Sequence, residues 1–432
     1  MSRRSFQVHE HSLDNGLRVL LVENPSIPTI SANASVLTGA RYDPEDKAGL
    51  ALMVSRLLDE GTDNRTSLEI AEAIESVGGA IETDGSFERI VVSVGVLKKD
   101  VELGIDLLAD VLTRPSFPED YVVKEKERTL SEIASAKDRP QVVAGWAFNE
   151  LIYQQHPLHR PAHGYPETVS RLTREDLQTF HKRYFVPNNT ILSIVGDFRV
   201  SEMLPRVERV FADWAPHPLA FPQYRPPVRQ TSRRTKFITM PAQQLNIYLG
   251  HLGVERANPD YYALQLLDTI LGGGAGFTAR IPQKLRDELG LAYTTFASIT
   301  MTAGIDPGRF VAFIGTSPEN MTLALDGLIN EIRRAANEPV TAEELHDAQE
   351  YLTGSFVFAF ETSGQIARFL THAEVYKLGF DYVEKYPEYI KRVTIEDVAR
   401  AAKKYLDPEN YTLVVVGPVN PNGSFVNGTS KN

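Results

Sequence analysis

Two stretches of the chain align with each other without a gap at an offset of about 220 residues. The first, Val169 to Phe198, reads VSRLTREDLQTFHKRYFVPNNTILSIVGDF, and the second, Ile390 to Val419, reads IKRVTIEDVARAAKKYLDPENYTLVVVGPV. Roughly a third of the aligned positions are identical. Each stretch predicts a helix, a turn at a proline, and a buried strand that ends at a glycine. The chain is therefore expected to fold as two halves of the same design.

Nearly the same offset relates the segments that begin at Glu88 and Gly308, each of which predicts a strand followed by an amphipathic helix. Residues 213–234 are rich in proline and lack periodicity, as linkers do. We predict an N-terminal domain at 1–215, a linker at 216–235 and a homologous C-terminal domain at 236–432. Several strand pairs are joined too tightly for parallel crossovers. The expected fold class is α+β, with an antiparallel-dominated sheet and helices packed on one face in each domain.

The composition excludes several classes of function. A net charge of −11 without a compensating basic run argues against nucleic acid or a membrane as the main partner. The chain has no cysteine, which excludes disulfides, thiolate metal sites and cysteine nucleophiles. It also has no run of about 18 apolar residues. We expect a cytoplasmic protein, or a periplasmic one if a signal peptide preceded this sequence.

The segment AGLALMVSRLLDEGT, residues 48–62, predicts a helix with two different faces. One face is an apolar stripe of the kind that packs on a core. The opposite face carries Leu52, Ser55, Arg56 and Asp59, at the spacings i, i+3, i+4 and i+7. Catalytic groups could lie together on one helix face at these spacings, but these four residue types do not form a catalytic set. Without further context, Arg56 with Asp59 and Glu60 reads as a solvated helix face.

The longer segment GARYDPEDKAGLALMVSRLLDEGT resembles the region of the inverted zinc motif in the pitrilysin/insulinase peptidases and the mitochondrial processing peptidase. The resemblance continues through SLEIAEAIESVGGAIE, RPSFPEDYVVKEKERTLSEI and HPLHRPAHGYPETVSRLTREDLQTFHKRYFVPNN, and in the second half through ILGGGAGFTARIPQKLRDELGLAYTTFAS. It covers almost the whole chain. The resemblance implies the processing-peptidase (LuxS-like) metallohydrolase fold in both domains.

In the family pattern, His, Glu and His stand at the positions of Leu52, Ser55 and Arg56 and form the zinc site with a later glutamate. The resemblance places that glutamate at Glu132, with Glu125 seven residues before it. A single carboxylate does not hold zinc, and Ser55 cannot act as a general base. We therefore expect that this chain binds no metal and cleaves no peptide alone.

Two other groups of histidines are possible metal ligands. The stretch HPLHRPAHG brings His156, His159 and His163 close together in sequence, and an all-histidine zinc site is chemically reasonable. The alternative is that these residues shape a proline-containing loop. His9 and His11 share one face of a predicted hairpin strand and could chelate a metal adventitiously, although a surface strand explains them as well.

The second half carries the substrate-binding residues that the resemblance implies. Arg286 and Tyr293 match an Arg and a Tyr with which the family holds the substrate at the zinc of the first half. A guanidinium and a phenol can both donate hydrogen bonds to a developing oxyanion. The preceding LGGGAGF resembles the glycine-rich loop of the non-catalytic processing-peptidase subunit, in which Gly272, Gly273 and Gly274 would permit positive φ and the close approach of a peptide backbone. A phosphate loop is the alternative, although its Lys-Ser/Thr is missing.

The resemblance as a whole implies the zinc-less subunit of a heterodimeric bacterial peptidase. The partner would be a homologue that carries the zinc and an intact motif, and the substrate would be a peptide or an unfolded polypeptide, added as an extra strand on an exposed sheet edge. Two alternatives remain: a structural scaffold like the core subunits of the respiratory bc1 complex, and a peptide-binding homodimer without catalysis.

Overall fold

The computed structural model describes residues 6–273 and 279–424, which form two compact units. The first unit comprises Met1–Ile133, Pro161–Gln223 and Val357–Glu384. The second comprises Ala134–Arg160, Tyr224–Phe356 and Lys385–Asn432. Each unit is built around one sheet.

The first sheet has six strands in the order β1-β2-β6-β3-β5-β4. Only the β2–β6 pair is parallel, and the other pairs are antiparallel. The strands are β1 His9–Ser12, β2 Arg18–Glu23, β3 Thr29–Val36, β4 Ala80–Gly85, β5 Ile90–Leu97 and β6 Thr190–Gly196.

The second sheet has five strands in the order β7-β11-β8-β10-β9, and again only one pair, β7–β11, is parallel. The strands are β7 Arg234–Thr239, β8 Leu245–Leu252, β9 Thr295–Ser298, β10 Arg309–Thr316 and β11 Thr412–Gly417. The predicted pair of antiparallel-dominated sheets in an α+β fold is thus confirmed.

Fourteen α-helices accompany the two sheets in the described residues. They are α1 Leu50–Leu57, α2 Ser67–Glu75, α3 Val101–Thr113, α4 Glu119–Lys137, α5 Pro140–Tyr153, α6 Pro166–Val169, α7 Arg174–Tyr184, α8 Val200–Val210, α9 Tyr261–Asp268, α10 Met321–Asn337, α11 Ala342–Phe356, α12 Ser363–Val375, α13 Tyr382–Arg392 and α14 Ile395–Tyr405. Two π-helical segments, Thr269–Gly273 and Pro282–Glu288, flank the glycine-rich stretch. Across 6–273 and 279–424, no helix has the length and apolarity needed to span a bilayer.

The duplicated stretches fold alike. Both α7 and α14 begin with a capping box, in which a threonine and the aspartate three residues later exchange hydrogen bonds with each other's backbone. The strands that follow, β6 and β11, each form the parallel pair of their sheet. They end at Gly196 (φ +156°) and Gly417 (φ +148°), where a Cβ would collide with the neighbouring strand. The glycines of the repeat are therefore required by the same strand ending in both units.

One helix in each unit comes from the other half of the sequence. In the first unit, most of the helices pack on the apolar face of the sheet, while α12 packs on the opposite face, along β3 and β6. There the Ser193 hydroxyl donates to the carbonyl of Ala367 at 2.8 Å. In the second unit, α5 packs on β8 and β11, where Phe148 joins the core. The units therefore differ from the predicted halves at 1–215 and 236–432 by these two exchanged segments, 134–160 and 357–384.

Candidate functional site

Helix α1 carries Leu52, Ser55 and Arg56, and its start is set by Gly49 and by the side chain of Asp43. Gly49 precedes the helix with a φ of +101°, and a Cβ there would come within 2.7 Å of the carbonyl oxygen of His163. The Asp43 carboxylate accepts hydrogen bonds from the amides of Gly49 and Ala51, each at 2.9 Å. An acidic side chain at a helix N-terminus satisfies free amides and interacts favourably with the helix dipole. The sequence around Gly49 therefore fixes the start of α1.

On the face of α1 opposite its main apolar stripe, the side chains are packed against β4 and α4. Ser55 is fully buried, and its hydroxyl donates to the carbonyl of Leu52 at 2.8 Å. A Cβ built on Gly85, the last residue of β4, would lie 2.5 Å from the Ser55 hydroxyl oxygen. A small side chain at position 55 and a glycine at position 85 thus allow helix and strand to meet closely.

Arg56 forms an ion cluster with two carboxylates of α4. Its Nη1 lies 2.9 Å from Glu125 Oε1 and 2.9 Å from Glu132 Oε2, and 3.4 Å from the Thr129 hydroxyl. Arg128 on α4 also contacts Glu132, at 3.1 Å. A guanidinium therefore supplies the positive charge between these two carboxylates.

The pKa shifts agree with this arrangement. Burial by itself lowers the pKa of Arg56, but the hydrogen bonds to Glu125 and Glu132 outweigh it, and the net shift is upward. Burial by itself raises the pKa of Glu132, but the hydrogen bonds from Arg128 and Arg56 together lower it by more, so the net shift of the pKa is downward. Both partners of the ion pair are stabilised in their charged forms.

The residues of this face do not fit a zinc ion. Leu52 has no ligand atom, the Ser55 hydroxyl is engaged with the backbone, and a guanidinium has only donors. The Glu132 carboxylate, the expected zinc-site glutamate of the pattern, forms an ion pair with Arg56. No group of three or more His, Cys, Asp or Glu side chains that could hold a metal exists among residues 6–273 and 279–424.

The histidines of the HPLHRPAHG stretch contact their local backbone. Leu158 donates its amide to His156 Nδ1 at 3.4 Å, and His159 Nδ1 lies 2.9 Å from the carbonyl oxygen of His156. His163 Nδ1 lies 2.9 Å from the carbonyl oxygen of Gly164. In the described part of the chain the three imidazoles do not form a metal-ligand group. His9 and His11 lie on β1, as expected for a surface strand.

Arg286 and Tyr293 both lie in the second unit. Asp287 accepts hydrogen bonds from Nε and Nη2 of Arg286, at 2.8 and 3.1 Å. This contact raises the pKa of Arg286, and the Tyr293 phenol adds a smaller contribution of the same sign. Tyr293 is 94% exposed. Sequence reasoning overlooked Asp287, although its position beside Arg286 was a signal for a partner.

A second residue that sequence reasoning missed lies just before the glycine-rich stretch. Asp268, at the end of α9, is buried, and its carboxylate accepts from Ser298 Oγ at the end of β9 at 2.6 Å, from the Ile299 amide at 2.7 Å, and from the amide and hydroxyl of Thr300. A Cβ at Gly272 would collide with the backbone nitrogen of Ala297. At Gly272 the close contact is with the chain's own strand β9, and the approach of a substrate peptide to these glycines stays a prediction.

Gly272 and Gly273 lie in a π-helical segment and are not among the positive-φ glycines, so neither uses the positive φ that glycine permits. At Gly273 a Cβ would meet the carbonyl oxygen of Asp268 at 3.2 Å. The third expected residue, Gly274, lies outside the described residues.

Two family models match most of the chain. The model described as Insulinase (Peptidase family M16) matches residues 18–164, and the one described as Peptidase M16 inactive domain matches residues 171–352. An uncharacterised zinc protease of Mycobacterium leprae is 29% identical over 420 residues, which are 96% of this chain and 93% of the relative. One from Bacillus subtilis is 23% identical over 411 residues, 95% of this chain and 98% of the relative.

Solved structures give the same result. The crystal structure of a peptidase M16 inactive domain from Pseudomonas fluorescens aligns with a TM-score of 0.89 and 26% identity, over 96% of this chain and 99% of that one. A protease from Helicobacter pylori shares the fold, with a TM-score of 0.87 and 21% identity over 96% of this chain and all of the other. With two matching models, relatives along its whole length and a shared fold, this chain belongs to the insulinase family of peptidases, family M16.

Proposed function

We propose that this chain is the zinc-less subunit of a heterodimeric M16 peptidase and that it contributes Arg286 and Tyr293 to a homologous, zinc-bearing partner. The observation that carries the proposal is the Arg56 cluster, in which a guanidinium stands between Glu125 and Glu132 on the face where active relatives hold their metal. Without a metal or a general base, the chain has no hydrolytic centre of this kind of its own.

The chemistry of this chain in such an assembly would be the stabilisation of negative charge. Zinc in the partner would supply the attacking nucleophile. Arg286 would donate N–H groups, and the Tyr293 hydroxyl would donate a hydrogen bond, to the carbonyl oxygen as it becomes an oxyanion. Asp287 holds two nitrogens of Arg286 and so restricts the orientation of the guanidinium. Charge stabilisation of this type needs donors that are fixed before the reaction begins.

The second sheet offers a place for the peptide near these residues. β9 is an edge strand of that sheet, and it begins at Thr295, two residues after Tyr293. A peptide that added to β9 as an extra strand would run close to the phenol, with main-chain hydrogen bonds that tolerate many sequences. This mode suits unfolded polypeptides and short peptides as substrates.

The exposure of Tyr293 supports a role in binding over a purely structural one. A tyrosine with a structural role usually buries its ring and pairs its hydroxyl. Tyr293 is 94% exposed. A scaffold subunit and a homodimer that binds peptides remain the alternatives, and neither requires Tyr293 to reach a substrate.

The test is to reconstitute the pair. This chain and a zinc-bearing homologue from the same genome are purified separately and together, and cleavage of a quenched-fluorescence peptide of about ten residues is measured. We expect association on gel filtration and cleavage by the pair but not by this chain alone. Replacing the partner's motif glutamate by glutamine should abolish cleavage. Ser55→Ala in this chain should leave the rate unchanged, because the hydrogen bond that the Ser55 hydroxyl makes within the described residues goes to the backbone of α1.

Cleavage by this chain alone, with a rate that follows its own zinc content, would contradict the proposal. So would a pair that associates but cleaves no faster than the partner by itself, since the chain would then be a scaffold. A stable homodimer that does not associate with the homologue would favour the peptide-binding alternative.

A further inference from the structure

A cavity of about 160 Å³ lies in the first unit, on the face of the sheet along which α12 packs. Its floor consists of two rows of residues that pair across β3, β5 and β4. The first row is Ser31, Gly95 and Ala80, and the second begins at Asn33 and continues through Ser93. Because successive residues of a strand point to opposite faces, the apolar core lies on the other side of these rows. The small side chains of Ser31, Gly95, Ala80 and Ser93 leave this part of the floor low.

Gly95 leaves an open point in the floor. A Cβ built on this glycine would meet no heavy atom within 4 Å, and its backbone is in an ordinary strand conformation. The Ser93 hydroxyl accepts from Asn33 Nδ2 at 3.1 Å, so its own hydrogen can still be donated. The Ser31 hydroxyl makes no hydrogen bond within the described residues.

The wall of the cavity is the first two turns of α12, at Gly364, Ala367 and Arg368. A Cβ on Gly364 would lie 3.7 Å from Arg368 Nη1 and 3.7 Å from Ser31 Oγ. The guanidinium and the Ser31 hydroxyl therefore approach the same point. The N-terminus of α12 is already capped by Thr362, so its amides are not the groups that a ligand would need.

Two opposite charges line the cavity without being paired. Glu82 extends the second row on β4, and Arg368 stands on the α12 side, over β3. Within residues 6–273 and 279–424, neither side chain makes an ion pair or a hydrogen bond. β3 and β4 are separated by one strand, which places these backbones about 10 Å apart. The cavity thus presents a cation at one end and an anion at the other.

We propose that this cavity binds a short free peptide, of about dipeptide length, in its zwitterionic form. Arg368 and the Ser31 hydroxyl would hold the carboxylate, Glu82 would hold the ammonium group, and a small side chain would lie over Gly95. The termini of an extended dipeptide are separated by about 7 Å, a span that two long charged side chains reaching inward from backbones about 10 Å apart can hold at both ends. The volume corresponds to roughly five water molecules. This site does not depend on the proposed function, since it involves neither Arg286 nor Tyr293.

The proposal is tested by calorimetric titration of the whole chain with Ala-Ala and with N-acetyl-Ala-Ala-amide. Saturable binding of the free dipeptide is expected, with affinity at least about tenfold weaker once both charged ends are blocked. Arg368→Gln and Glu82→Gln should each weaken binding of Ala-Ala by about tenfold or more. Gly95→Val should abolish binding by filling the cavity, while valine suits a strand.

Asp84→Asn is the matched control, because Asp84 is an exposed acid on the same face of β4, two residues beyond Glu82, and does not line the cavity. It should bind Ala-Ala like the wild type. If circular dichroism shows that Gly95→Val is not folded, the Arg368→Gln and Glu82→Gln variants still test the proposal. Both of these side chains are exposed, so their replacement should not prevent folding. Absence of saturable binding at millimolar peptide, equal affinity for the blocked peptide or for acetate, or wild-type affinity in both charge variants would overturn the proposal.

Discussion

Nη1 of Arg56 lies 2.9 Å from Oε2 of Glu132, across the gap between α1 and α4. The same nitrogen contacts Glu125, whose residue is only 6% exposed. The guanidinium of Arg56 thus provides positive charge to the two carboxylates that α4 presents to α1. In this chain an ion pair connects α1 to α4, so the buried Glu125 carboxylate is not left as an unpaired charge.

Arg56→Met is therefore expected to destabilise the protein through the carboxylates that it leaves behind. Removing one partner of a buried ion pair costs about 3–5 kcal/mol, and the partial exposure of Glu132 reduces this to about 2–3 kcal/mol here. Urea unfolding followed by circular dichroism measures the loss. Adding Glu125→Gln to Arg56→Met should recover part of it.

Arg128→Met is the control for this prediction. Arg128 contacts the same two carboxylates, at 3.4 and 3.1 Å, but its side chain is 59% exposed. Its loss should cost less than about 1 kcal/mol. Equal losses for Arg56→Met and Arg128→Met would show that the position of Arg56 between the helices has no special importance.

Restoring imidazoles at positions 52 and 56 should restore metal binding. Leu52→His with Arg56→His provides two ligands one helical turn apart and releases Glu132 as the third. We expect about one zinc per chain by elemental analysis after dialysis, and a rise in Tm on adding zinc, whereas the wild type and Arg56→His alone should hold much less.

Adding Ser55→Glu to these two changes is expected to lower the yield of folded protein, because Ser55 is fully buried and faces Gly85. A folded double-histidine variant that takes up no zinc would mean that α1 and α4 no longer hold these positions in ligand geometry.

The duplication and both sheets could be predicted because they depend on local signals. Proline turns, threonine caps and strand-ending glycines stand at matching positions in the two halves, and each specifies a local conformation. The exchange of α5 and α12 could not be predicted in the same way. Hydrophobic periodicity indicates that a helix buries one face, but it does not say against which sheet.

The site was predicted in part for the same reason. The positions Leu52, Ser55 and Arg56 follow from a motif pattern, and the pattern also locates Glu132. The contact between Arg56 and Glu125 depends on how α1 and α4 pack, which no local signal specifies. Asp268 looked like an ordinary acid at a helix end, and only its burial against the segment after β9 reveals its role.

Asp59 should make the protein less stable as the pH rises from about 4 to about 6. Burial raises the pKa of Asp59 to about 6, with a smaller contribution from Glu60, against an ordinary value near 3.8. Between these two pH values the folded state binds more protons than the unfolded state, so the free energy of unfolding falls as the pH increases. Above about pH 6 the contribution of Asp59 no longer changes with pH. Asp59→Asn should raise stability at pH 7.5 by about 1–2 kcal/mol and have little effect at pH 4.

The measurement is urea unfolding at both pH values, with Asp63→Asn as the control, because Asp63 is an exposed acid four residues along the chain. A gain for Asp59→Asn that is the same at pH 4 and pH 7.5 would refute the electrostatic explanation.

Tyr293→Phe gives the sharpest test of the role assigned to the second unit. The change removes one hydroxyl from a side chain that is 94% exposed, so neither folding nor association should suffer from lost packing. If the hydroxyl donates to the oxyanion, kcat/KM of the assembled peptidase should fall by about 10- to 10³-fold, mainly through kcat, because the hydrogen bond strengthens in the transition state. Arg286→Ala should have an effect in the same range, and Asp287→Asn a smaller one, since it loosens the guanidinium without removing it.

Tyr351→Phe is the matched control, since Tyr351 is another exposed tyrosine of the second unit, at 41%, and lies on α11. It should cleave the peptide at the wild-type rate. Zinc content and the elution volume of the complex are measured for every variant, so that a lower rate cannot be ascribed to lost metal or lost assembly. Wild-type rates for both Tyr293→Phe and Arg286→Ala in an intact complex would leave this chain without a catalytic contribution and return it to the scaffold alternative.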